Sequence, residues 1–192
     1  PPHRGRWRGY TIVCAASGPS LNQADIARIT DWQKAGPSCA VIVANTTFRA
    51  FPDADALFAM DRQWWEAHEA EVSRTFRGQR FSTNNLPEKF RSTYLAPPFD
   101  GYGNSGAGCI ALALAGDAAR VLMVGFDCQH TGGQAHWHGN HPRGLTNAAQ
   151  IPKWPALFKR LREAHPNAII YNASRVTALD VFPRIPLEDA LL

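Results

Sequence analysis

The stretch Thr11–Ser20 (TIVCAASGPS) decides the fold class. Thr11–Ala16 carries no charge and no polar-apolar alternation, the pattern of a strand covered on both faces. Ser17-Gly18-Pro19-Ser20 then ends it as a turn. Working outward, Leu21–Lys34 places Ile26 and Ile29 at helical spacing and stops at Gly36-Pro37. Cys39–Ala44 (CAVIVA) is a second buried strand and Ala56–Met60 (ALFAM) a third, followed by a helix over Arg62–Val72. Phe76–Tyr94 is mixed and holds one or two strands. Asn104-Ser105 caps a helix over Gly106–Ala115 that ends at Gly116. Arg120–Val124 (RVLMV) and Ala168–Tyr171 are strands, Trp154–Ala164 is an amphipathic helix, and Leu187–Leu192 closes with a short one. Apolar strands alternating with helices predict an α/β fold: one Rossmann-like domain over 1–192, a mostly parallel sheet, helices on both faces.

The chain's 192 residues are 45% hydrophobic and 19% charged, which excludes a disordered or fibrous protein. No apolar run reaches the roughly 18 residues of a membrane span. Arg4, Arg6 and Arg8 are not followed by an apolar segment, so residues 1–9 read as a basic tail rather than a signal peptide. The net charge of +4 suits a phosphate-bearing ligand and leaves nucleic acid open. Cys14, Cys39, Cys109 and Cys128 show no CxxC spacing and read as reduced, buried thiols of a cytoplasmic protein. Self-association is left open.

In a parallel sheet of this kind the ligand lies beyond the carboxyl ends of the strands. Those ends are Ser17–Ser20, Asn45–Thr47, Asp61, Asn104–Gly106 and Asp127–His141, so the conspicuous polar clusters share one edge. Gly18 permits close backbone approach, and the amides after it suit an anion; a plain strand-to-helix turn is the alternative. Asn104, Ser105 and Gly106 open a helix whose positive end suits a phosphate or carboxylate, or merely cap it. Asp61 either holds a ribose hydroxyl or caps the next helix. Trp64-Trp65 reads as packing. Four of the seven histidines (His130, His136, His138 and His141) fall within 130–141. A histidine base, a metal site and a polar loop all fit that cluster.

The order of these pieces resembles a known group. Cys14–Leu21 (CAASGPSL) looks like the first-strand motif of bacterial lipooligosaccharide sialyltransferases and of the archaeal 6-hydroxymethylpterin diphosphokinase family. Asn104–Gln129, with its Asn-Ser-Gly helix and its strand ending in Gly125-Phe126-Asp127, resembles their second motif. Val43–His68, the HWHGxHP loop and Asn172-Ala173-Ser174 resemble uncharacterised phage proteins of the norphogenetic type. The sialyltransferase resemblance implies that Gly18, Pro19 and Ser20 line phosphates or ribose. It implies that Asn45 contacts the nucleotide and that Asn104, Ser105 and Gly106 meet the phosphate or donor sugar. His136 is the match in position for the family's general base; His138 and Asp127 are further catalytic candidates. The chain departs from that family at Ala16-Ser17 and in its histidine cluster.

The expected activity is transfer from a nucleotide-activated donor, a sugar nucleotide in the family's manner, to a hydroxyl of a glycan or a hydroxymethylated DNA base. No metal or other cofactor is obligatory for it, although Mg2+ is allowed for. A Mg-ATP diphosphokinase with Asp61 or Asp127 near the metal is one alternative. A non-catalytic nucleotide-binding phage module is another. A zinc hydrolase is a third, because HxHxxH resembles the HxHxDH signature of metallo-β-lactamase-fold enzymes, with Asn140 in place of the aspartate.

Overall fold

The computed structural model describes residues 3–97, 99, 103–139 and 151–192. Its sheet has seven strands, all parallel: β1 Thr11–Ala15, β2 Cys39–Ala44, β3 Ala56–Phe58, β4 Gln79–Ser82, β5 Ser92–Tyr94, β6 Arg120–Val124 and β7 Ile170–Asn172. Their spatial order is β5-β4-β3-β2-β1-β6-β7. The helices are α1 Gln23–Ala35, α2 Arg62–Thr75, α3 Ser105–Ala115, α4 Trp154–Ala164 and α5 Leu187–Ala190. The chain winds outward from β1 to β5, then α3 carries it back to set β6 on the other side of β1. That reversal leaves a crevice beyond the carboxyl ends of β1 and β6.

Alternate residues of each central strand feed two cores. Ile12, Cys14, Ile42, Phe58 and Met123 face α3 and Phe158 and Leu161 of α4. Val13, Val41, Val43, Leu57 and Leu122 face Ile26 and Ile29 of α1, Trp64, Trp65 and Val72 of α2, and Leu187 of α5. The two tryptophans are packing residues, with indole N–H groups donating to Thr46 Oγ1 and the Ala59 carbonyl. α3 (SGAGCIALALA) is apolar nearly all round because it lies flat on the sheet; a Cβ at Gly108 would fall 2.1 Å from Phe58 Cε1.

The mixed segment resolves into two strands. Arg80 interrupts the apolar pattern of β4 because its buried guanidinium donates to the carbonyls of Val72 and Phe90, closing the end of α2. The N-terminal segment is packed onto the fold rather than being a free tail. Trp7 is buried against Gly116, whose carbonyl accepts its amide, while Arg4, Arg6 and Arg8 remain exposed. The four cysteines are free thiols, with Cys39 half-buried and the others buried. Among the described residues, no helix is long and apolar enough to cross a membrane.

Candidate functional site

The turn after β1 and the turn after β6 are built as one unit. The Val124 carbonyl accepts the Ala16 amide at 2.9 Å, and the Gly125 carbonyl accepts the Gly18 amide at 2.7 Å. Gly125 has φ +68°, and a Cβ there would stand 2.4 Å from the Ala16 carbonyl oxygen. A Cβ at Gly18 would stand 2.2 Å from Asp127 Oδ1. Both positions therefore require glycine. Asp127 is 1% exposed. Its Oδ1 accepts from Ser20 Oγ at 2.6 Å, and its Oδ2 accepts from the Ser20 amide at 2.9 Å and Thr131 Oγ1 at 2.8 Å. Burial pushes its carboxyl above the usual value, against the pull of those bonds. The carboxylate is thus engaged in holding the first turn. Ser20 bonds it, and neither Ser20 nor Pro19 lines the cleft.

The cleft at this crevice encloses about 290 Å³. Ser17, Gly18, Asn45, Asp61, Asn104, Ser105, Gly106, Asp127 and His136 all line it, so most of the predicted site residues meet there. Asn104 caps α3 through Oδ1, which accepts the Ala107 amide at 3.1 Å, and its carbonyl accepts the Gly108 amide. The Ser105 and Gly106 amides, at the first turn, have no acceptor within the helix. Ser105 Oγ accepts the Met60 amide at 3.2 Å, which ties the start of α3 to the end of β3. Asn45 adopts φ +50°, and its buried Oδ1 has no hydrogen-bond partner among the described residues. Asp61 occupies the N-cap position of α2 without making a side-chain capping bond, so its exposed carboxylate faces the cleft. Phe126, Trp154 and Phe158 supply an apolar part of the lining.

His136 is 6% exposed. Its Nδ1 lies 2.9 Å from Ser17 Oγ, and its ring stacks on His138 with centroids 5.2 Å apart and planes 3° from parallel. The neighbouring Trp137 amide donates to the Ser17 carbonyl at 3.0 Å. Burial, and then the proximity of His130, lower the His136 pKa, so its imidazole is neutral near pH 7. His138 stacks behind His136 and does not line the cleft. Asn140 and His141 lie outside the described residues. Among the described residues, no three His, Cys, Asp or Glu side chains cluster as metal ligands.

Trp154 and Phe158 are wall residues to which the sequence reading gave no site role, and Ser17 was read only as part of the turn after the first strand, without its histidine partner. Trp154 had one legible signal, an aromatic residue at the start of a helix that follows a polar loop. The pairing of Ser17 with His136 had none, because the two are 119 residues apart.

No family model matches the chain, and no curated protein matches it in sequence. Among solved structures it is similar to the sialyltransferase CstII from Campylobacter jejuni, a structure in complex with the substrate analogue CMP-3FNeuAc. The likeness has a TM-score of 0.55 at 12% identity and covers 92% of this chain and 86% of that one. It establishes a shared α/β architecture, which the expected Rossmann-like fold matches.

Proposed function

We propose that this protein is a glycosyltransferase-like enzyme that moves a group from a nucleotide-activated donor, a nucleotide sugar, to an acceptor hydroxyl. The observation that carries the reading is the meeting of α3's first-turn amides, which have no acceptor within the helix, with a neutral, buried histidine in one cleft at the sheet's switch point. The amides of Ser105 and Gly106 receive the donor phosphate, which the helix dipole favours. Asn45 and Asp61 bond the nucleoside, and Gly18 lets the backbone approach it. His136 takes the acceptor proton as the acceptor oxygen bonds the transferred carbon. The bond from that carbon to the phosphate oxygen breaks, and its electron pair stays on the phosphate, stabilised by the same amides. With Nδ1 held by Ser17, the proton goes to Nε2. Asp127 is a positioning residue, since its oxygens already serve Ser20 and Thr131. No metal is obligatory for this step.

The acceptor is the hydroxyl of a glycan or of a hydroxymethylated base; a base within duplex DNA must first leave the stack. Thermal-shift measurement against nucleotides and nucleotide sugars tests the donor, beginning with CMP-linked sugars because the similar structure carries one. A ligand at 100 times its Kd adds about 2.7 kcal/mol, or roughly 5–10 °C in a chain of this size. The His136→Ala variant should keep that shift and lose about 10²–10⁴ in turnover. A chain that no nucleotide stabilises overturns the reading.

One observation supports a second reading. Asp61 makes no capping bond and faces the cleft, so it could share a Mg2+ with a polyphosphate. Absolute dependence on Mg2+, with phosphoryl rather than glycosyl products, would assign the chain as a diphosphokinase.

A further inference from the structure

We propose that Ser17 is the positioning residue of the histidine base: its Oγ accepts the Nδ1–H of His136, which fixes the tautomer and aim of the imidazole from the donor-binding turn itself. The inference rests on the transferase reading and deepens it. Three observations carry it. Ser17 Oγ lies 2.9 Å from His136 Nδ1, within hydrogen-bonding reach. The Ser17 carbonyl also accepts the Trp137 amide at 3.0 Å, so one residue grips two consecutive residues of the loop. Ser17 is itself fixed, because the residues around it are bonded to the end of β6: Ala16 to Val124, Gly18 to Gly125 and Ser20 to Asp127.

The parallel stack with His138 restrains the plane of the ring, and Ser17 restrains its rotation within that plane. A neutral imidazole is a base at one nitrogen and a donor at the other, so the partner of Nδ1 decides which nitrogen takes the acceptor proton. Among the described residues, the ionisable groups that share the cleft or the loop with His136 are His130 and His138 on its own loop, Asp127 and Cys128 at the end of β6, and Asp61 before α2. α4 presents only Trp154 and Phe158 to the cleft. Ser17 Oγ lies within hydrogen-bonding reach of Nδ1.

The test has a readout independent of turnover. Long-range proton–nitrogen correlation spectra of the full chain report the His136 tautomer, with His136→Gln assigning the signal. The expected result is a neutral ring protonated at Nδ1 in the native chain and in Ser17→Thr, and redistribution towards the Nε2–H form in Ser17→Ala. In turnover, Ser17→Ala should lower kcat roughly tenfold to a hundredfold, change KM by no more than about twofold, and shift the acid limb of the pH profile; Ser17→Thr should restore both. Melting curves of each variant separate these effects from misfolding. A native ring protonated at Nε2 overturns the proposal. So does a Ser17→Ala chain with unaltered tautomer and acid limb, or a covalent adduct on Ser17 during turnover, which would make it the nucleophile. If the tautomer follows Ser17 but no nucleotide stabilises the chain, the hydrogen-bond assignment stands and the transferase reading falls.

Discussion

Gly18 and Asp127 show how tightly single residues constrain the cleft. A methyl group at Gly18 would meet Asp127 Oδ1 at 2.2 Å and the Gly125 carbonyl oxygen at 2.3 Å. The oxygens belong to a fixed strut and to backbone, so neither yields cheaply. Gly18→Ala should cost about 1–3 kcal/mol and abolish the nucleotide thermal shift, measured on one melting curve with and without ligand. Asp127→Asn keeps the shape but exchanges one acceptor oxygen for a donor that faces the Ser20 and Thr131 bonds. The expected loss is again about 1–3 kcal/mol in urea titration. Because Asp127 acts through the turn, binding should weaken more than the acid limb of turnover moves. These dependencies were only half legible in the sequence. Gly18 announces a tight turn, whereas the pairing of Ser20 with Asp127 spans 107 residues and leaves no local pattern.

At the scale of elements, α3 is the piece on which the site depends most. Its Gly108 sits against the Phe58 ring, with a would-be Cβ 2.1 Å from Cε1. Gly108→Ala should push the helix off β3 and disturb the Ser105–Met60 bond at its start. The expected outcome is a loss of about 1–3 kcal/mol together with weaker nucleotide binding, although the substitution lies outside the cleft. The unbroken apolar runs at β1, β2 and β6 made the central strands legible, because strands buried on both faces tolerate nothing else. The outer strands were harder to read for a physical reason. β4 carries Arg80 as a buried carbonyl partner, and the edge strand β5 is half-exposed (Ser92-Thr93-Tyr94). The capping residues of α3 were legible because Asn104 acts locally, three residues from its donor.

Across the whole molecule, pH acts mainly through histidine. Burial is the first cause of lowered pKa values at His3, His68, His136 and His165. Below the ordinary histidine value of 6.5, the unfolded chain takes up protons that these folded sites resist, so the unfolded state binds more. Stability should therefore be full above that value and fall as pH drops through the window beneath it. Asp127 works in the opposite sense just above its ordinary value of 3.8, because its raised pKa makes the folded state the better proton binder there. Melting temperatures between pH 7.5 and 5, compared for the native chain and His136→Gln, check the first effect. The variant should show the shallower decline.

Strand β1 and the described segment around His136 are joined to the rest of the fold by different means. β1 lies at the centre of the sheet with parallel partners on both sides, whereas among the described residues the segment 131–139 is bonded to the turns after β1 and β6 through Ser17 and Thr131. Regions with few attachments open at lower free energy than central strands. Warming should therefore pass through a range in which the chain still captures its nucleotide but has stopped turning it over. In hydrogen exchange, the Trp137 amide should become labile well before those of Val13 and Cys14. Heat would then uncouple recognition from chemistry before it unfolds the protein.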